Sequence, residues 1–132
     1  AIHWIDKLGP NQMSPETFAP QMNGTLVFKN AVVRFEQVIN EALKKNKMSS
    51  TDIDCLIPHQ ANLRISQFVQ KKLRLGDNQV FNNIQKYGNT TGASIPIALS
   101  EAVEQEHIKR GDIICLAAFG AGFTWGSALL RY

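Results

Sequence analysis

His59 and Asn89 are the residues best suited to hold a carbonyl oxygen while negative charge grows on it. A neutral imidazole and a carboxamide are both N–H donors, and two such donors aimed at one oxygen stabilise an enolate. Each lies in a short polar or glycine-bearing segment, His59-Gln60-Ala61-Asn62 and Gly88-Asn89-Thr90-Thr91-Gly92. A third segment, Gly120-Ala121-Gly122, offers backbone N–H groups for a second oxyanion. Together these groups suit Claisen chemistry at thioesters. Taken singly, each segment has a structural explanation: a histidine after a strand, an asparagine in a glycine-flanked turn, a bend between strands. What the set lacks is a nucleophile. If the segment before His59 is extended, Cys55 is ~13 Å away at about 3.3 Å per residue, beyond the reach an activated thiol needs. Cys115 is embedded in Ile113-Ile114-Cys115-Leu116-Ala117, where burial raises a thiol's pKa and makes it inert.

Bringing the three segments to one place requires alternating helices and strands. Pro10, Pro15, Pro20, Gly9 and Gly24 make residues 1–24 read as an irregular N-terminal segment, followed by an α/β domain over 25–132. Val32, Phe35, Ile39, Ala42 and Leu43 recur at helical spacing, predicting a helix from Ala31 to about Lys45. Ile53, Cys55, Leu56 and Ile57 form a buried strand ending at Pro58. A second helix fits Leu63 to Leu73, with Ile65, Phe68, Val69 and Leu73 on one face and Gly76 as its stop. Val80 to Tyr87 reads as irregular or a short strand. A third helix fits Ser94 to about Glu106, with Pro96 in its first turn and Ile95, Leu99, Ala102 and Val103 inward. Ile113–Phe119 and Thr124–Tyr132 form an antiparallel pair joined through Gly120-Ala121-Gly122. The fold class is α/β, a mixed β-sheet covered by helices. Ligands in such sheets gather beyond strand ends, where all three polar segments fall.

Composition limits the remaining classes. The chain has 132 residues, 44% of them hydrophobic and 19% charged, which suits one globular domain. Its longest apolar run, Ile113 to Phe119, is far short of the roughly 20 residues of a membrane-spanning helix. No signal-peptide layout opens it, so a soluble, cytoplasmic protein with no membrane partner is expected. The net charge of +3 becomes informative through clustering: Lys44, Lys45 and Lys47; Arg64, Lys71, Lys72 and Arg74; Lys109 and Arg110. Solvated helix ends account for the first and third groups. Two cysteines 60 positions apart read as reduced thiols rather than a disulfide or zinc site, and no metal site is expected. His3 and His107 read as solvated. No phosphate-binding glycine loop or aromatic-interleaved basic stripe is present, which argues against a nucleic-acid partner.

Three long stretches carry a resemblance. Pro58-His59-Gln60-Ala61-Asn62-Leu63-Arg64-Ile65, Tyr87-Gly88-Asn89-Thr90-Thr91-Gly92-Ala93-Ser94 and Phe119-Gly120-Ala121-Gly122-Phe123-Thr124-Trp125-Gly126 closely resemble the C-terminal half of β-ketoacyl-acyl-carrier-protein synthase III, in order and spacing, from about Met22 to Tyr132. The resemblance implies the C-terminal half of a thiolase-like fold, in which two similar α/β halves pack around a pseudo-two-fold. It also implies a reaction that initiates fatty-acid biosynthesis: an acyl group moves from coenzyme A to a cysteine, malonyl-acyl carrier protein is decarboxylated, and its enolate attacks the acyl thioester.

On this mapping His59 and Asn89 are the catalytic residues that hold the malonyl thioester carbonyl. The backbone N–H of Ala121 aligns with the second oxyanion-hole position, where the family often has Gly. Phe119 aligns with an aromatic beside the active site. Asn62, Gly24 and Phe28 align with the coenzyme A and pantetheine tunnel, and Thr25 replaces an Asn found in some members. Arg64 is similar to a carrier-protein docking arginine, and Lys71 and Lys72 add cations that suit an acidic carrier. The resemblance implies acyl-coenzyme A as a substrate, with no cofactor, and acyl carrier protein as partner.

The family's nucleophilic cysteine belongs to an N-terminal half that this chain does not contain. The chain alone is therefore expected to be inactive in condensation, to need that missing half as a partner, and to self-associate as a homo-oligomer through the apolar face of the Ser94–Glu106 helix. Two rivals are a related polyketide synthase or thiolase-like condensing enzyme and a non-catalytic module that binds carrier protein or another subunit.

Overall fold

A computed structural model of the chain describes residues 23–132. His3 and most of the 1–24 segment thus lie outside the described residues. Helix α1 spans Gly24–Lys45, beginning seven residues before the helix expected from Ala31. The reason is local. Asn23 caps the helix by accepting the Leu26 N–H at 3.0 Å, and Val27 and Phe28 extend the apolar face of Ala31, Val32, Phe35, Ile39 and Leu43 by another turn. Lys44 and Lys45 occupy the last turn, where cations meet the negative end of the helix.

Strand β1 (Cys55–Pro58) is followed by helix α2 (Leu63–Leu73), as the sequence predicts. Asn62 caps α2 by accepting the Arg64 N–H at 2.9 Å. Replacing Asn62 by Ala is expected to lower stability by about 1 kcal/mol, read as a shifted urea midpoint with unchanged slope. Gly76 does not end α2. Arg74 does, in the left-handed conformation at φ 57°, with its N–H bonded back to Gln70 and Lys71 carbonyls. The Val80–Tyr87 segment gives one bridge, Leu56 to Val80, and then a helical turn, α3 (Ile84–Tyr87). Helix α4 covers Ser94–Glu104, two residues shorter than expected.

Strands β2 (Ile113–Gly120) and β3 (Thr124–Arg131) pair antiparallel from Ile113–Arg131 to Gly120–Thr124. β1 joins the other edge of β2 in parallel, Cys55 opposite Ile114 and Pro58 opposite Ala117. The three-stranded sheet is therefore mixed, in the order β1-β2-β3. Side-chain alternation gives it two faces. Leu56, Cys115, Ala117 and Phe119 pack against α1 and α2, whereas Cys55, Ile57 and Ile114 pack toward α4 with Ala98 and Ala102. On the α4 side coverage is incomplete: Ile95, Leu99, Val103, Leu116 and Leu130 are only half-buried. Of the inward set expected for α4, Ala102 alone is fully buried. No helix among the described residues is long and apolar enough to cross a membrane.

Candidate active site

The ladder between β1 and β2 runs one residue past the strand, because the His59 N–H donates to the Ala117 carbonyl at 2.8 Å. That bond continues the alternation of Cys55 and Ile57, so the His59 side chain emerges on the α4 face. There it meets Ser94, the first residue of α4, whose Oγ lies 2.6 Å from His59 Nδ1. Burial holds the His59 pKa below the ordinary histidine value, which keeps the ring neutral at pH 7.

Asn89 lies on the turn between α3 and α4. Gly88 adopts φ 68° and Thr91 φ 52°, and the Thr91 N–H donates to Asn89 Oδ1 at 2.9 Å. A flipped amide would set NH2 against N–H, so this bond fixes the oxygen on the turn's own backbone and leaves the Nδ2 hydrogens available. The β2–β3 turn completes the site, with Gly122 at φ 74° and Phe123 at φ 51°. His59, Asn89, Ser94, Phe119, Gly120 and Ala121 line one cavity of about 680 Å³. Trp125 stacks on Phe119 at 6.4 Å between ring centres and is itself covered by the Arg34 guanidinium at 4.5 Å.

The structure thus brings together His59, Asn89, Phe119 and Ala121. Gly24 and Phe28 on α1, and Asn62, Arg64, Lys71 and Lys72 at or on α2, lie off the cavity lining. Phe28 meets Phe68 edge-on at 6.3 Å, and Lys72 Nζ is 5.8 Å from the centre of that second ring. Arg64, Lys71 and Lys72 are exposed. Both thiols are buried on adjacent strands but on opposite faces of the sheet, and burial pushes the pKa of each up to about 12. Neither is a nucleophile at neutral pH.

A buried polar brace beneath the cavity has no counterpart in the sequence reading. Gln60 donates from Nε2 to the Pro58 carbonyl at 2.7 Å, while its Oε1 accepts the N–H groups of Asn83 and Ile84 at 3.0 and 3.2 Å. Asn83 Nδ2 in turn donates to Glu101 Oε2 at 2.8 Å, and Lys86 pairs with the same carboxylate. Those hydrogen bonds, from Lys86 first and Asn83 second, hold the Glu101 pKa below its ordinary value. The brace ties the His59 loop to the start of α3 and to α4. Ser94 was equally hidden, as it lies 35 residues from its partner. The expectation of a solvated His107 is corrected: its ring packs edge-on against Phe81 at 5.3 Å, and its Nε2 is buried with no hydrogen-bond partner among the described residues.

Residues 43–132 match the family described as 3-oxoacyl-[acyl-carrier-protein (ACP)] synthase III C terminal. A beta-ketoacyl-[acyl-carrier-protein] synthase III of Campylobacter jejuni is 51% identical over 117 residues, which is 89% of this chain and 36% of that protein. The namesake from Thiobacillus denitrificans is 46% identical over 124 residues, 94% of this chain and 39% of the relative. The crystal structure of 3-oxoacyl-[acyl-carrier-protein] synthase III from Aquifex aeolicus VF5 superposes with a TM-score of 0.86 at 46% identity, covering 90% of this chain and 39% of that one. The chain therefore spans little more than a third of the length of these relatives. With the three motifs placed around one cavity, the chain belongs to the 3-oxoacyl-[acyl-carrier-protein] synthase III family of thiolase-like condensing enzymes and carries its C-terminal part.

Proposed function

We propose that this chain supplies the enolate-holding half of a decarboxylative condensation between an acyl-coenzyme A primer and malonyl-acyl carrier protein, the step that initiates fatty-acid biosynthesis. The observation that carries this reading is the shared cavity of His59 and Asn89, two neutral donors on separate segments. Bound there, the malonyl thioester carbonyl accepts from both, so negative charge on its oxygen is stabilised as carbon dioxide leaves. The Ala121 N–H serves the second oxyanion, formed when the enolate attacks the acyl thioester. Phe119 forms an apolar wall that limits water around the charge. The names of the relatives support the carrier protein as partner.

The attacking thiol that holds the primer comes from an N-terminal half, because Cys55 and Cys115 are both inert. That half packs on the incompletely covered α4 side, where Ile95, Leu99 and Val103 line up four residues apart. Gly24, Phe28 and Asn62 border the coenzyme A and pantetheine path in this reading. Arg64, Lys71 and Lys72 receive the acidic carrier. No cofactor takes part, and the setting is cytoplasmic.

The test is to measure malonyl-thioester decarboxylation by the chain alone and after an N-terminal half is supplied. Activity only in the second case is expected; steady condensation by the 132-residue chain alone would overturn the proposal. Arg64→Glu is expected to slow association with the carrier and weaken its salt dependence while leaving coenzyme A thioesters unaffected as substrates. Equal loss with both substrates would remove Arg64 from docking.

A further inference from the structure

We propose that Ser94 is a positioning residue that selects the tautomer of His59, keeping the ring proton on Nε2. The argument is one of donors and acceptors. A serine hydroxyl has one proton to give and two lone pairs to accept with. Ser94 Oγ has two partners among the described residues: the Gln60 N–H at 3.3 Å and His59 Nδ1 at 2.6 Å. The backbone N–H of Gln60 can only donate, so it takes one lone pair of Oγ. The hydroxyl proton then has a single acceptor within reach, His59 Nδ1.

The opposite arrangement, with Nδ1–H donating to Oγ, leaves that hydroxyl proton without an acceptor in a side chain that is only 2% exposed. Buried polar groups rarely remain unpaired, so the structure selects the first arrangement. With Nδ1 accepting, the remaining ring proton sits on Nε2. The turn before α4 orients Asn89 by the same logic, its Oδ1 held by the Thr91 N–H and its Nδ2 left to donate. One short stretch, Thr91 to Ser94, therefore sets the hydrogen-bonding polarity of both donors.

This role for Ser94 rests on the proposed use of His59 as a neutral donor, but it can be read without turnover. The measurement is the 15N spectrum of the imidazole nitrogens in the 15N-histidine-labelled chain, well above the ordinary histidine pKa of about 6.5. The chain has three histidines, and the His59 signals are those lost in His59→Ala. The expected result is a pyridine-like shift at Nδ1 and a pyrrole-like shift at Nε2. In Ser94→Ala both shifts should move toward the average of the two tautomers, and Ser94→Thr should restore the original pair. A wild-type spectrum with the proton on Nδ1 overturns the proposal whether or not the alanine variant folds. Unchanged shifts in a folded Ser94→Ala do the same. Failure of the decarboxylation reading would appear separately, as a correct tautomer with no activity even after an N-terminal half is supplied.

Discussion

Replacing His59 by Ala is expected to slow malonyl-thioester decarboxylation about 10²–10³-fold, the usual cost of removing one preorganised oxyanion donor. The assay is carbon dioxide release by the chain supplied with an N-terminal half. The loss should fall on the chemical step, because Arg64, Lys71 and Lys72, proposed above to receive the carrier, lie off the cavity lining. Full activity in His59→Ala would sink the assignment and favour a binding module. A stability signature accompanies the kinetic one. Burial lowers the His59 pKa in the folded chain, whereas the unfolded chain takes up its proton near 6.5. Below that pH the unfolded state binds more protons, so the His59 contribution to stability is present above 6.5 and lost as pH falls toward the folded value. His59→Gln should flatten this part of the stability curve in urea titrations across that range.

A second large effect is expected at Gln60, which does not line the cavity. Gln60→Ala strips partners from the Pro58 carbonyl and from the Asn83 and Ile84 N–H groups in one step. Each orphaned buried group costs about 1–3 kcal/mol, and partial relaxation leaves an expected loss of about 3–5 kcal/mol. Equilibrium urea unfolding measures it. Gln60→Glu keeps the accepting oxygen for Asn83 and Ile84 but loses the donation to Pro58. A loss below about 1 kcal/mol in the alanine variant would mean that the brace is replaced by water. Decarboxylation should also fall in Gln60→Ala, since the side chain fixes the His59 loop against the segment leading to Asn89.

The elements most legible in the sequence were those whose apolar period was long or whose ends were chemically marked. Leu63–Leu73 matches its expected bounds, and β2 and β3 each match theirs to within one residue. The start of α1 is not legible because the prolines and glycines up to Gly24 read as irregular and the apolar period is sustained only from Ala31, although Asn23 caps the first turn. Arg74 hid the end of α2, because a left-handed arginine carries no mark that a glycine would. At the site, the motifs pointed to His59, Asn89 and Ala121 and the resemblance added Phe119. The groups that orient them, Ser94, Gln60, Asn83 and Glu101, were silent. The contacts that tie them to other segments span 15 to 35 residues of chain, and no local spacing encodes such contacts.

The parallel pairing of β1 with β2 joins residues far apart in the chain, Leu56 opposite Cys115, while β2 and β3 meet across a tight turn. Closing a long loop carries more entropy cost than closing a short one, and non-local pairings form late. The hairpin can therefore assemble early with Phe119 and Ala121 in place, whereas His59 enters the cavity only when β1 docks. A species that holds only the hairpin therefore lacks the His59 donor.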